Sequence, residues 1–300
     1  MGIRVKTNVD SLIAQKNLGK AKEETSAAME KLSSGMRINR SSDDAAGLAI
    51  SESIRSRQSS LDVAKRNASD GISYLQTAEG SLNEVSNIML RMRQLSTQSA
   101  SDTLGENERG FLNKEFQQLG QEVGRIVSTT EFNGRKILQP DDNSTMHIFV
   151  GSSNRADKDG SSPSIDPEND PDIISMDLKD LDKLQTALGK ISDGSLSVTG
   201  PSASEIGGDT EALFNTIDTA VNEVAGYRAS LGSVQSRLNS AISNIDVTNE
   251  NLAAANSRIR DVDFASETAK YTQSKIMEQA GASVLAHANS EPEIVLQMLR

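Results

Sequence analysis

The sequence predicts a mainly α protein: a long antiparallel coiled-coil helical rod with a small β-hairpin region between its two halves. Three observations lead there. The 300 residues include only three Tyr and six Phe and no Trp, so the aromatic area on which compact cores usually rely is scarce. The apolar residues recur at heptad spacing on both sides of the middle. Five of the six prolines fall at positions 140, 163, 167, 171 and 201, so the residues that break helices are gathered in one stretch.

Each element follows in chain order. The amino-terminal stretch carries Val5, Val9, Leu12 and Ile13, apolar but short. From Leu61 a helix is expected with Leu61, Ala68, Leu75, Leu82 and Met89 at a, and Ala64, Gly71, Ala78, Val85 and Met92 at d. Phe132-Asn133-Gly134 carries the Asn-Gly signal of a tight hairpin turn. Two alternating runs, Met146/Ile148/Val150 and Ile174/Met176/Leu178, each fit a half-buried strand, and together they predict a hairpin with a long tip. The 130–205 stretch is otherwise read as hairpin and loop, because Gly160-Ser161-Ser162-Pro163 and Asn169-Asp170-Pro171 are turn chemistry. The second flank repeats the first. Leu231, Leu238, Ile245, Leu252 and Ile259 take a, while Val234, Ala241, Thr248, Ala255 and Val262 take d. Five strict heptads specify a coiled-coil seam of roughly 50 Å. The tail closes on Ile276, Val284, Leu285, Val295, Leu296 and Leu299.

Composition excludes several functions. With no Cys there is no disulfide, thiolate zinc site or thiol nucleophile. Met1 to Asn8 holds no apolar h-region of a signal peptide, and no run of eighteen apolar residues offers a membrane span. These features alone suggest a cytoplasmic protein with no membrane insertion. Net charge is −11, and residues 140–211 hold fifteen acidic against five basic residues. The rest is nearly balanced and shows no basic stripe, which argues against nucleic acid. His147 and His287 are the only histidines, and neither has an acid at ligand spacing. Asp43-Asp44 fits helix capping better than a metal site, and Gly207-Gly208 lacks phosphate-loop spacing. No catalytic, cofactor-binding or metal residues are expected.

The two seams lie on opposite sides of the hairpin region, so the chain is expected to run out and return antiparallel, with both termini at one end. Isolated short helices are marginal in water, so the terminal stretches, to about residue 40 and from 265, should order only when paired. They can pair with each other. They can also pair with the same stretches of neighbouring copies, and a contact that does not close on itself yields a filament.

The motifs then point to a family. Leu32-Ser33-Ser34-Gly35-Met36-Arg37-Ile38-Asn39, followed by Asp43-Asp44-Ala45-Ala46-Gly47-Leu48-Ala49-Ile50-Ser51, closely resembles the amino-terminal signature of bacterial flagellins. Leu75-Gln76-Thr77-Ala78-Glu79-Gly80 continues the match. Ser257-Arg258-Ile259-Arg260-Asp261-Val262-Asp263 is similar to their carboxy-terminal signature. His287 stands where the family usually has Gln, and the His-Glu-x-x-His of flagellins with a metalloprotease insert is missing. The resemblance covers about residues 1 to 140 and 205 to 300.

That resemblance implies a flagellin-like fold without outer domains, a minimal core-only form. Residues 1–42 and 265–300 would form the terminal helices of the inner filament tube. Residues 43–264 would form the helical rod layer, including the 130–205 hairpin and loop region. The implied function is a structural subunit, exported unfolded by the flagellum's own type III apparatus and polymerised into the filament for swimming motility. This reverses the cytoplasmic reading: the protein would be secreted, in a filament that is extracellular, or sheathed or periplasmic in some bacteria. Implied partners are further copies of the chain, the filament cap, the hook–filament junction proteins and an export chaperone on the carboxy-terminal helix. Innate immune recognition by Toll-like receptor 5 is implied by Arg91, Leu95 and Gln98, with Glu115 nearby; a solvated helix face or a subunit contact would also explain them. Alternatives are the hook–filament junction protein itself, or a secreted coiled-coil adhesin with folded, non-polymerising termini.

Overall fold

The computed structural model describes residues 8–101, 103–139, 145–151, 170–176, 179–192, 197–198 and 209–298. Their elements, in order, are α1 (Val9–Ser34), α2 (Ala45–Ser99), α3 (Glu106–Thr129), β1 (Glu131–Phe132), β2 (Arg135–Lys136), β3 (Met146–Phe149), β4 (Ile173–Met176), α4 (Lys179–Ser192), α5 (Asp209–Arg260) and α6 (Phe264–Met298). The protein is mainly α with two small antiparallel strand pairs, as the heptads and the Asn-Gly turn predict. It divides into two compact units, residues 1–58 with 249–300, and residues 59–248.

The 59–248 unit holds the main core. Every expected a and d residue of α2, from Leu61 to Met92, is buried. On α5, Leu231, Val234, Leu238 and Ile245 are buried as predicted, with Ala241 and Thr248 partly so. The α5 seam also starts two heptads earlier than Leu231, because Leu213, Ile217, Ala220, Val224 and Tyr227 are buried in the same register. Lys65–Asp246 at 2.6 Å, Glu79–Arg228 at 3.8 Å and Arg93–Asp218 at 3.0 Å pair α2 with α5 in opposite chain directions. These pairs are exposed and contribute little energy; they record the antiparallel register that the buried seam sets.

The hairpins sit on this frame. Asn133 at φ 52° and Gly134 at φ 75° form the tight turn of β1–β2, the positive-φ pair such a turn requires. Phe132 then meets Tyr74 of α2 edge-to-face, with ring centroids 5.9 Å apart. β3 and β4 pair antiparallel with Met146 opposite Met176 and Phe149 opposite Ile173. Their inward residues Ile148, Ile174 and Met176 are buried. Gly71 lets the Ile148 side chain pack close to α2, where a Cβ would lie 2.6 Å from the Ile148 Cδ1 and push it aside. The expected long tip and Leu178 lie outside the described residues.

The middle also contains a helix that the loop reading of 130–205 did not include. Leu181, Leu184, Leu188 and Ile191 recur at three- and four-residue spacing, and α4 forms over them. Ala187, Leu188 and Ile191 are buried. α4 packs against α3 at its glycines: a Cβ on Gly120 would lie 2.6 Å from the Ile191 carbonyl oxygen.

Candidate functional site

In the unit formed by residues 1–58 and 249–300, α1 and α6 run antiparallel. The pair is pinned at one end by Asn8, whose Oδ1 caps α1 by accepting from the Ser11 N–H at 3.0 Å. The Asn8 Nδ2 donates to the Ala288 carbonyl at 2.6 Å, and the Ser11 Oγ to the Asn289 Oδ1 at 2.7 Å. At the other end the Val262 N–H donates to the Gly35 carbonyl at 3.0 Å, and the Arg37 N–H to the Arg260 carbonyl at 2.7 Å.

The connector between α1 and α2 is built from local capping. Gly35 takes φ 72°, the left-handed conformation that ends α1. The two aspartates divide the remaining work. Asp44 caps α2, its Oδ1 accepting from the Gly47 N–H at 2.9 Å. Asp43 folds the connector on itself, its Oδ2 accepting from Arg40 N–H at 3.0 Å and Asn39 N–H at 3.1 Å. These backbone donors, Arg40 first and then Asn39, hold the Asp43 carboxyl below its ordinary range. Across the unit, the buried Ser51 Oγ donates to the Asn256 Oδ1 at 2.8 Å, and Arg260 pairs with Glu52 at 2.7 Å. Polar contacts of this kind inside a heptad seam fix its register.

Between its pinned ends the α1–α6 pair buries mainly small side chains, together with Glu267 of α6. Ser11, Ala14, Ala21 and Ala28 of α1 are buried, as is Ser274 of α6. Gly281 lies against Leu18, to which a Cβ would approach within 3.4 Å. The large apolar side chains point the other way. Leu12 is 57% exposed and Ile276 60%; Val9, Ile13 and Val284 are likewise more than half exposed, and Leu285 is half-buried. Phe264 and Met277 are exposed with them, and from Phe264 to Met277 the outer side of α6 bounds an open apolar groove. A self-sufficient helix pair buries its large residues in the seam; this pair does the reverse. Val5 and Leu299 lie outside the described residues, and Val295 and Leu296 fall in the last turns of α6.

The Arg91 group lies in the other unit. The Arg91 guanidinium reaches the Glu115 Oε1 through Nε at 3.0 Å and Nη2 at 2.7 Å, linking α2 to α3 on an exposed face. Gln98 is exposed on the same helix, whereas Leu95 is fully buried in the core. The structure thus brings Arg91 and Glu115 together and turns Leu95 inward. The sequence reading passed over Met29, Phe264 and Met277, although all three are apolar residues off the buried heptad positions. Among the described residues no three His, Asp or Glu side chains converge as metal ligands, and no helix is long and apolar enough to cross a membrane. His147 only meets Ser175 across the β3–β4 pair at 3.1 Å.

Comparison with known proteins places this arrangement. The bacterial flagellin N-terminal helical region matches residues 5–142, and the C-terminal helical region matches residues 214–299. The chain belongs to the bacterial flagellin family. It is 42% identical over 297 residues to a flagellin of Halalkalibacterium halodurans, covering 98% of each chain. It is 36% identical to polar flagellin F of Vibrio parahaemolyticus, with both chains covered in full. A flagellar hook-associated protein of Vibrio parahaemolyticus shares the fold, with a TM-score of 0.54 at 13% identity over 73% of this chain and all of that one. Flagellins are structural proteins, not enzymes. This flagellin is therefore a structural subunit of a flagellar filament, an exported extracellular structure that serves motility.

Proposed function

We propose that this flagellin polymerises through the outward faces of α1 and α6. Residues 1–42 and 265–300 form the inner tube of the filament, and residues 43–264 form the surrounding helical layer. The observation that carries the reading is the inverted terminal pair: small residues inside, and Val9, Leu12, Ile13, Ile276 and Val284 outside. Fully burying one such side chain is worth about 1.5–3 kcal/mol, so several together favour association once a neighbour covers them. Val5, Leu285, Val295, Leu296 and Leu299 extend the same apolar set in sequence. The exposed sets on α1 and α6 are different surfaces, so a contact joining them between copies is heterologous and grows without closing. The test is elongation from filament seeds, followed by light scattering and negative-stain microscopy. The full chain should elongate seeds and a chain truncated after Ala265 should not; equal growth of both would refute the reading.

The same surfaces suit the remaining partners. Before assembly the α6 groove calls for a cover, which an export chaperone supplies while the chain waits to leave by the type III route. The filament cap and the hook–filament junction proteins would meet the same faces at the two ends of the polymer. A second reading rests on the exposed Arg91–Glu115 pair, a charged feature suited to Toll-like receptor 5. In it, Arg91, Gln98 and Glu115 touch the receptor, while the buried Leu95 holds the α2 face in shape. Arg91→Ala should abolish receptor signalling by purified monomer, measured in a reporter cell line; an unchanged response would remove this reading.

A further inference from the structure

We propose that Met29 and Met277 are oxidation sites, and that the state of their thioethers decides whether the terminal helix pair can accept a neighbouring copy. The inference rests on the assembly reading above and adds a chemical control to it. The chain has nine Met and no Cys, so methionine is its only oxidisable sulfur. The methionines are not equivalent. Met89 and Met92 are fully buried in the α2 seam, and Met176 at the end of β4 is 2% exposed. Met29 is 59% exposed on α1 and Met277 is 41% exposed on α6. Met277 also lines the apolar groove with Phe264 and Ile276.

The reaction needs only a hydroperoxide, to which the exposed Met29 and Met277 thioethers of an unassembled subunit are open. The Sδ lone pair attacks the terminal peroxide oxygen, an S–O bond forms and the O–O bond breaks. The proton of the attacked oxygen passes to the leaving oxygen, which departs as water from hydrogen peroxide or as an alcohol from an organic peroxide. Sulfur is oxidised by two electrons and the peroxide is reduced by two. The product replaces a soft apolar group with a strong hydrogen-bond acceptor.

That acceptor is tolerated in the free subunit, where water reaches it. When a second copy covers it, the groove around Met277 is lined mainly by Phe264, Ile276, Ala265 and Ala269, with Thr268, Thr272 and Gln273 as its polar side chains, and the Thr272 hydroxyl already donates to the Thr268 carbonyl. Burial of a poorly satisfied acceptor is costly. Oxidation therefore raises the subunit concentration needed for growth by roughly tenfold or more, without unfolding the chain. Copies already inside a filament are shielded at both positions, so the switch acts on subunits before they add.

The experiment treats purified full-length monomer with hydrogen peroxide, maps sulfoxides by peptide mass spectrometry, and measures elongation from filament seeds. Met29 and Met277 should oxidise well before Met89, Met92 and Met176, and growth should fall as they do. A Met29→Leu, Met277→Leu chain should elongate seeds before and after peroxide, and its melting temperature should match that of the unsubstituted chain. Treatment of the oxidised wild-type chain with methionine sulfoxide reductase should restore growth. Normal growth of a chain oxidised at both positions would overturn the proposal, as would equal loss of growth in the double-Leu chain. If the untreated chain fails to elongate seeds, the assembly reading itself fails; if it elongates and oxidation changes nothing, only the switch is lost.

Discussion

Asp43 and Asp44 show how adjacent identical residues take different work from their backbone surroundings. Asp44 precedes a helix and satisfies the Gly47 N–H; Asp43 lies one residue back and gathers Arg40 and Asn39 into a turn. The sequence placed capping somewhere in the pair but left open which residue does it, since both have the right side chain and only the backbone direction separates them. The Asp43 carboxyl is held below its ordinary value of 3.8 by the N–H donors of Arg40, then Asn39. Over the range between its folded and unfolded values, the unfolded chain binds a proton that the folded chain does not. The stabilisation from Asp43 is therefore fully present above the unfolded value and is lost as pH falls through the folded one. An NMR titration of the carboxyl should place its midpoint under 3.8. The melting-temperature gap between wild type and Asp43→Asn should be open at neutral pH and close in acid. A gap that does not change with pH would mean that Asp43 makes no such turn in solution.

At the scale of elements, what could be read from sequence depended on how long the pattern persists. The α2 and α5 seams were legible because a 3.5-residue repeat sustained over several heptads has one physical explanation, a continuous buried stripe. The earlier part of the α5 seam, Leu213 to Tyr227, keeps the register but includes an Ala and a Tyr, which dilute the aliphatic signal. α4 was not read, because its four aliphatic residues lie within an acidic stretch flanked by Gly, Ser and Pro. Its stability comes from a partner: the close approach that Gly120 and Gly124 of α3 allow. Two glycine substitutions separate these effects. Gly120→Ala forces a Cβ onto the Ile191 carbonyl and should loosen α4, raising hydrogen exchange at Leu188 and Ile191. Gly232→Ala on α5 has open space around its Cβ, so it should stabilise the helix by about 0.5–1 kcal/mol. A destabilised Gly232→Ala chain in thermal melts, or unchanged exchange in Gly120→Ala, would contradict the packing described here.

Across the whole molecule the two units differ in where their large apolar residues sit. Residues 59–248 enclose Leu, Ile, Val and Met in one core, as a self-sufficient fold does. Along α1 and α6, residues 1–58 and 249–300 enclose mainly Ala and Ser, with Ile38 and Val262 buried at the junction beyond α1, and turn Leu12, Ile13, Ile276 and Val284 to the outside. The sequence identified these apolar residues as assembly candidates but could not orient them, since α1 and α6 carry apolar residues on more than one face. Only the partner helix decides that alanine goes inward and leucine outward. This separation makes folding and assembly independently testable. Leu12→Glu and Ile276→Glu change exposed positions, so each should shift monomer stability by no more than about 0.5 kcal/mol while stopping elongation of seeds. Ala21→Leu acts at the buried seam, where overpacking costs about 1–3 kcal/mol, so it should lower the stability of the helix pair and impair elongation as a consequence. Thermal melts of the monomer and seeded growth, measured on all three chains, give two independent axes. Should Ile276→Glu and Leu12→Glu both elongate seeds at the wild-type rate, the outward faces are not the assembly surface, and the contacts must come from the 59–248 unit instead.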